Sequence, residues 1–92
     1  MLDPLIHQEL RLSIMSFVSQ VDWATFARLL EATGASKGNL SVQISKLQKA
    51  DYVQVKKSFK DNYPLTEVAI TENGREALTT YVSELKKLVG GL

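Results

Sequence analysis

The chain has no cysteine. That absence excludes disulfides, thiolate metal sites and cysteine nucleophiles together, and it fits a reducing cytoplasm, the location expected here. Histidine is almost as scarce. His7 stands alone in an early helix without a second ligand near it in sequence, so a solvent or interface position is expected in place of metal binding or proton transfer. Long apolar runs are missing too, and nothing approaches the ~20 residues of a membrane span. The opening MLDPLIHQEL meets an acid and a proline at once, where a secretory leader would be basic and then apolar. There is no internal repeat, no low-complexity linker and no carboxylate pair at helical spacing beside a nucleophile. Neither an enzyme nor a cofactor is therefore expected. GASKG at Gly34 to Gly38 lacks the spacing and the final Gly-Lys-Ser/Thr of a phosphate loop.

What is present is a central concentration of positive charge. The net charge is only +1, which by itself points to no partner. Residues 33–60, however, carry Lys37, Lys46, Lys49, Lys56, Lys57 and Lys60 against Asp51, a net of +5, between flanks that are each at −2. Such a block suits a polyanion; an ordinary solvated, lysine-rich face is the alternative. Ninety-two residues make one domain, 1–92, near the lower limit for a self-sufficient core, so help from a partner subunit is expected.

Within that block, TGASKGNLSVQISKLQKAD (33–51) reads as a turn and then a helix with two different faces. Leu40, Ile44 and Leu47 share an apolar stripe at i, i+4 and i+7. Gly38, Asn39, Val42, Ser45, Lys46 and Lys49 lie opposite, with no acid among them. A helix of this kind can pack on a core while laying an acid-free surface in a major groove.

The surrounding elements follow from caps and periodicity. Asp3 and Pro4 predict a first helix from the start of the chain to about Ser19, with Ile6, Leu10, Ile14, Phe17 and Val18 inward. Asp22 predicts the cap of a second helix over Trp23–Ala32, with Val21 and Phe26 as a hydrophobic staple and Phe26, Leu29 and Leu30 buried. Gly34 ends it in a left-handed cap and Ser36 starts the third helix, a helix-turn-helix spacing. Past Ala50 the period becomes two: Val53 and Val55 alternate with Gln54 and Lys56, and after Lys60-Asp61-Asn62-Tyr63-Pro64 a second run places Val68 and Ile70 on one side. Pro64 is acceptable at the start of an edge strand. Thr71 predicts the cap of a last helix with Leu78, Tyr81, Val82, Leu85, Leu88 and Val89 on one stripe, stopped by Gly90 and Gly91. The helix that carries it, at about 72–89, runs about five turns, longer than a small core needs, so part of the stripe is expected to face another chain.

The order helix, helix, turn, helix, basic hairpin, long helix resembles the winged-helix transcriptional regulators of the MarR and ArsR type, particularly their compact single-domain members. TGASKGNLSVQISKLQKADYV looks like that family's turn, recognition helix and start of the wing, and LTEVAITENGREAL like the second wing strand running into the dimerisation helix. The resemblance spans about Asp3 to Val89. It implies a mostly α fold with a small β-hairpin wing (α+β), in the order α-α-α-β-β-α, with the helix-turn-helix at about 23–50, the wing at about 52–71 and the dimerisation helix at about 72–89. Many relatives have glycine where this chain has Asp51, but aspartate also tolerates a left-handed backbone.

The candidate DNA-binding residues are Ser36, Lys37, Gly38, Asn39, Ser41, Val42, Gln43, Ser45, Lys46 and Lys49 on the helix, and Lys56, Lys57 and Lys60 on the hairpin. Ser36 and the free amides after it can hold a phosphate. Gly38 allows close backbone approach, or is simply a glycine tolerated near a helix start. Asn39 can pair with adenine, and Val42 either touches a thymine methyl or is incidental surface. Lys46 and Lys49 reach phosphates, and the hairpin lysines resemble wing residues that grip the minor groove or its phosphates. Trp23 is expected to pack under the second helix; stacking on a ligand is the alternative. Leu5, Ile6, Leu78, Tyr81, Val82, Leu85, Leu88 and Val89 are the candidate dimerisation residues.

The expected function is sequence-specific binding of duplex DNA by a homodimer on a pseudo-palindromic operator, as a transcriptional repressor. An architectural DNA-binding protein with little sequence preference, or a winged-helix module that binds another protein, are the alternatives.

Overall fold

Caps and changes of hydrophobic period divide the chain, and the computed structural model, which describes residues 1–90, follows most of those divisions. The elements are α1 (Glu9–Val18), β1 (Ala24–Thr25), α2 (Phe26–Thr33), α3 (Lys37–Lys49), β2 (Val53–Lys60), β3 (Tyr63–Ile70) and α4 (Glu72–Leu88). The strands form an antiparallel sheet in the order β1-β3-β2. This is a winged-helix α+β fold with one short strand more than the periodicity implies. Gly91, expected to help stop the last helix, lies outside the described residues.

The core gathers Ile14, Met15 and Val18 from α1, Leu29 from α2, Leu40, Ile44 and Leu47 from α3, and Ala24, Val53 and Val68 from the sheet. β2 and β3 are joined by a two-residue turn in which Asp61 and Asn62 both have positive φ, 52° and 67°. Asparagine and aspartate tolerate that conformation, and its twist matches the strands it joins. Pro64 pairs opposite Phe59, where β3 has no neighbour on its other side, so its missing N–H costs no ladder bond.

Two helix starts differ from the sequence expectation. Asp3 does open a turn, accepting from the amide of Leu5 through Oδ1 and from that of His7 through its carbonyl. Gln8 is then extended (φ −153°, ψ 133°), and α1 begins only at Glu9, with the Gln8 side chain as cap. The break leaves the Leu5 carbonyl to Arg11 Nε, the Asp3 carboxylate to Tyr52, and Ile6 fully buried. Farther along, Asp22 is not the cap of α2; Thr25 is. Ala24 and Thr25 pair with Val68 and Glu67 of β3, and Thr25 Oγ1 accepts from the Arg28 amide to start α2. Sheet pairing thus overrides the local staple.

The junction between α3, β2 and α4 is held by backbone. Asp51 takes the left-handed conformation (φ 61°), which lets the Tyr52 amide donate to Leu47 and the Thr71 amide donate to Tyr52. Thr71 Oγ1 accepts from the Gly74 amide, capping α4. Gly74 packs so closely that a Cβ there would overlap the Tyr52 carbonyl oxygen. Only glycine fits.

Two residues expected on a dimer surface are buried within the single chain. Ile6 is wholly covered, and Tyr81 is 2% exposed with its hydroxyl 2.8 Å from Nδ1 of His7. Folding the first turn back against α4 covers both. Among the described residues, no helix is long and apolar enough to cross a membrane.

Candidate nucleic-acid interface

The turn ahead of α3 is built by local hydrogen bonds. Gly34 caps α2 in the left-handed region (φ 69°), its amide donating to Leu30. Thr33 Oγ1 donates to the Leu29 carbonyl and accepts from the Ala35 amide. Ser36 then caps α3, its Oγ accepting from the Asn39 amide at 3.2 Å. A helix start has N–H groups without intrahelical acceptors. Ser36 satisfies that of Asn39, leaving those of Lys37 and Gly38 for an acceptor outside the helix, at the positive end of the helix dipole.

Leu40, Ile44 and Leu47 are buried, so Lys37, Gly38, Asn39, Ser41, Val42, Ser45, Lys46 and Lys49, together with Gln48, which the sequence reading does not name, form the solvent face of α3. Val42 stands 51% exposed in the middle of it. A Cβ on Gly38 would meet nothing within 4 Å, so no packing among the described residues requires a glycine there. Gln43 is the exception among the candidates. It is only 9% exposed, accepts from Arg11 Nη1 at 2.6 Å and donates to Asn39 Oδ1 at 3.0 Å. Both ends of its amide are engaged, so it leaves the set of residues facing a ligand. The angle along the helix carries this signal, since Gln43 lies within about 60° of Leu40, on the apolar side. Arg11, its partner, has no such signal because the two are separated by 32 residues.

On the wing, Lys57 and Lys60 are exposed and make no ion pair among the described residues. Lys56 differs. Its ammonium lies 3.6 Å from Glu67, its cross-strand partner, and 4.4 Å from the centroid of the Trp23 ring. Trp23 is therefore half-buried beneath a lysine on the outer side of the sheet and not packed under α2. Phe59 and Tyr63 stand 77% and 75% exposed near the wing tip.

One titratable pair outside these faces is structural. Tyr52 Oη donates to Asp3 Oδ2 at 2.5 Å. That bond, with burial and the carboxylate charge, pushes the Tyr52 phenol up to about 12. Among the described residues, no group of three His, Cys, Asp or Glu side chains is placed to hold a metal ion.

The profile of the winged helix DNA-binding domain matches residues 10–89. An uncharacterized protein of Methanocaldococcus jannaschii is 30% identical over 78 residues, covering 85% of each chain. The transcriptional regulator homologue protein from Pyrococcus horikoshii superposes with a TM-score of 0.88 at 30% identity, over 95% of this chain and 86% of that one. AbsC, a MarR family transcriptional regulator from Streptomyces coelicolor, gives a TM-score of 0.66 at 26% identity, over 80% of this chain and 53% of its own.

Proposed function

The chain belongs to the winged helix DNA-binding domain family, and from that premise we propose that it reads duplex DNA as a homodimer on a pseudo-palindromic operator and represses transcription by occluding the promoter. It is a small DNA-binding regulator of MarR-like fold, not an enzyme. The observation that carries the proposal is the solvent face of α3. It is acid-free, holds three lysines and an exposed valine, and begins at two free amides beneath the Ser36 cap. In this reading Ser36, Lys37, Gly38, Lys46 and Lys49 hold phosphates, Asn39, Ser41, Val42 and Ser45 face base edges, and Lys57 and Lys60 reach the flanking backbone. The whole chain acts as one winged-helix unit, with α4 as its dimerisation helix.

Support for the dimer comes from α4. Val82, Leu88 and Val89 are 38%, 71% and 43% exposed, and Leu78 and Val82 line an open groove of about 610 Å³. A second copy laid along α4, touching Leu78, Val82, Leu85, Leu88 and Val89 with Leu5 at the margin, covers this surface. Two recognition helices then enter successive major grooves, with half-sites about 10 bp apart.

Selection of bound fragments from a randomised duplex library should enrich such a pseudo-palindrome. Equal recovery of all sequences would mean an architectural binder, and no DNA binding at all would favour a protein-interaction module. Sedimentation equilibrium should give twice the 10.2 kDa chain mass. Val82→Glu combined with Leu88→Glu should give the single-chain mass, and a monomeric wild type would sink the dimer.

A further inference from the structure

Arginine carries donors and no acceptor. Arg11, half-buried on α1, donates from Nε to the Leu5 carbonyl and from Nη1 to Gln43 Oε1. Because a guanidinium cannot accept, the Gln43 amide has one orientation, its oxygen toward Arg11 and its NH2 away. That NH2 donates to Asn39 Oδ1. The oxygen of Asn39 is therefore turned back toward Gln43, and its own Nδ2 is left for the solvent face of α3. Gln43 is buried, so an exchange of either bond for water carries a desolvation cost. A donor-only residue in the body of the fold thus transmits a defined hydrogen-bond polarity, through one buried amide, to an exposed position of α3.

We propose that Arg11 and Gln43 are positioning residues that set the base preference of the third helix by determining which end of the Asn39 amide meets the DNA. The inference rests on the reading that α3 faces base edges. With Nδ2 outward, Asn39 offers hydrogens to the major groove. Guanine (O6 and N7) and thymine (O4) present acceptors there, cytosine presents only the N4 donor, and adenine presents both. The position read by Asn39 should accordingly favour guanine, thymine or adenine over cytosine.

Gln43→Glu tests this by reversing the polarity. Both carboxylate oxygens accept, so one can keep Arg11 while the other must receive a hydrogen from Asn39. Asn39 then turns Nδ2 inward and Oδ1 outward. The substitution conserves size and places the carboxylate against a guanidinium, so the fold should survive. Selection from a randomised duplex library should show one position per half-site at which cytosine rises and guanine and thymine fall, with the other positions unchanged. Arg11→Met, which lets the Gln43 amide turn over, should reduce discrimination at that position roughly tenfold, and Arg11→Lys, again donor-only, should restore it.

Identical base profiles for wild type and Gln43→Glu would overturn the inference and leave the base-reading proposal standing. A wild type that binds DNA but enriches no sequence would overturn both. In the free protein, hydrogen exchange of the side-chain amides gives a readout that needs no DNA. The Asn39 NH2 protons should be fast in the wild type and slowed in Gln43→Glu; equal rates in the two proteins would also overturn the inference.

Discussion

The hydroxyl of Tyr52 donates to the carboxylate of Asp3, joining the start of the wing to a residue 49 positions earlier. This bond holds the first turn against the body of the fold while Ile6 is buried and Gln8 breaks the helix. The Tyr52 phenol is pushed up to about 12 from the ordinary 10. Its contribution to stability is therefore whole below pH 10 and lost as pH rises from 10 through 12. Thermal melts of the wild type should fall across that window, and Tyr52→Phe should show a shallower fall. At neutral pH the variant should lose about 1 kcal/mol, the net value of one hydrogen bond. Parallel alkaline profiles for the two proteins would mean that the bond does not hold the N-terminal segment.

Gly74 should be the least replaceable residue of α4. A methyl group there overlaps the Tyr52 carbonyl, so α4 must move away from the junction. Gly74→Ala should cost about 1–3 kcal/mol despite alanine's better helix propensity. Each kcal/mol lowers Tm by about 4–8 °C in a chain of this size. A melt unchanged by the substitution would remove the close approach from the account.

Gly38 should behave in the opposite way. Nothing lies within 4 Å of a Cβ built there, so Gly38→Ala should raise stability by up to about 1 kcal/mol through helix propensity. The same methyl group stands between the first amides of α3 and any phosphate they hold, so DNA affinity should fall. Chemical denaturation and DNA titration on one protein sample separate the two effects. Stability and affinity rising together would show that α3 does not bring its N-terminus to the backbone.

The wing lysines should not be equivalent. Lys57→Ala and Lys60→Ala should weaken binding to all sequences alike and make the log-log salt dependence shallower by roughly one unit for each phosphate left without its lysine. Lys56→Ala should change that slope less, because its ammonium already faces Glu67 and the Trp23 ring. Equal slope changes at all three positions would mean that Lys56 leaves its partners when DNA binds.

Much of the candidate interface is legible in the sequence because its signals are short-range. Gly34 and Ser36 mark a helix end and a helix start through chemistry contained within four residues, and both caps form as expected. The stripe Leu40, Ile44 and Leu47 is buried because the period of the helix brings them together whatever they pack on. Asp51 adopts the left-handed conformation for which its short polar side chain is suited. Gln43 departs from expectation because its polar type suggests exposure while its angle on the helix lies on the apolar side, and the angle prevails. Lys56 departs for a different reason, since nothing next to it in sequence announces Glu67 or Trp23.

By itself the sequence determined the succession of helices and hairpin, the helix-turn-helix spacing, the central position of the charge and the acid-free face of α3. Each depends on backbone preference, side-chain volume or periodicity over a few residues. Only the tertiary structure decided that Ala24 and Thr25 join the sheet, that α1 starts at Glu9, that Ile6 and Tyr81 are covered within one chain, and that Arg11 reaches Asn39 through Gln43. Those features are pairings of buried polar groups and packed surfaces across tens of residues. A buried donor takes whichever acceptor the fold brings to it, and neither partner carries a local mark of the other.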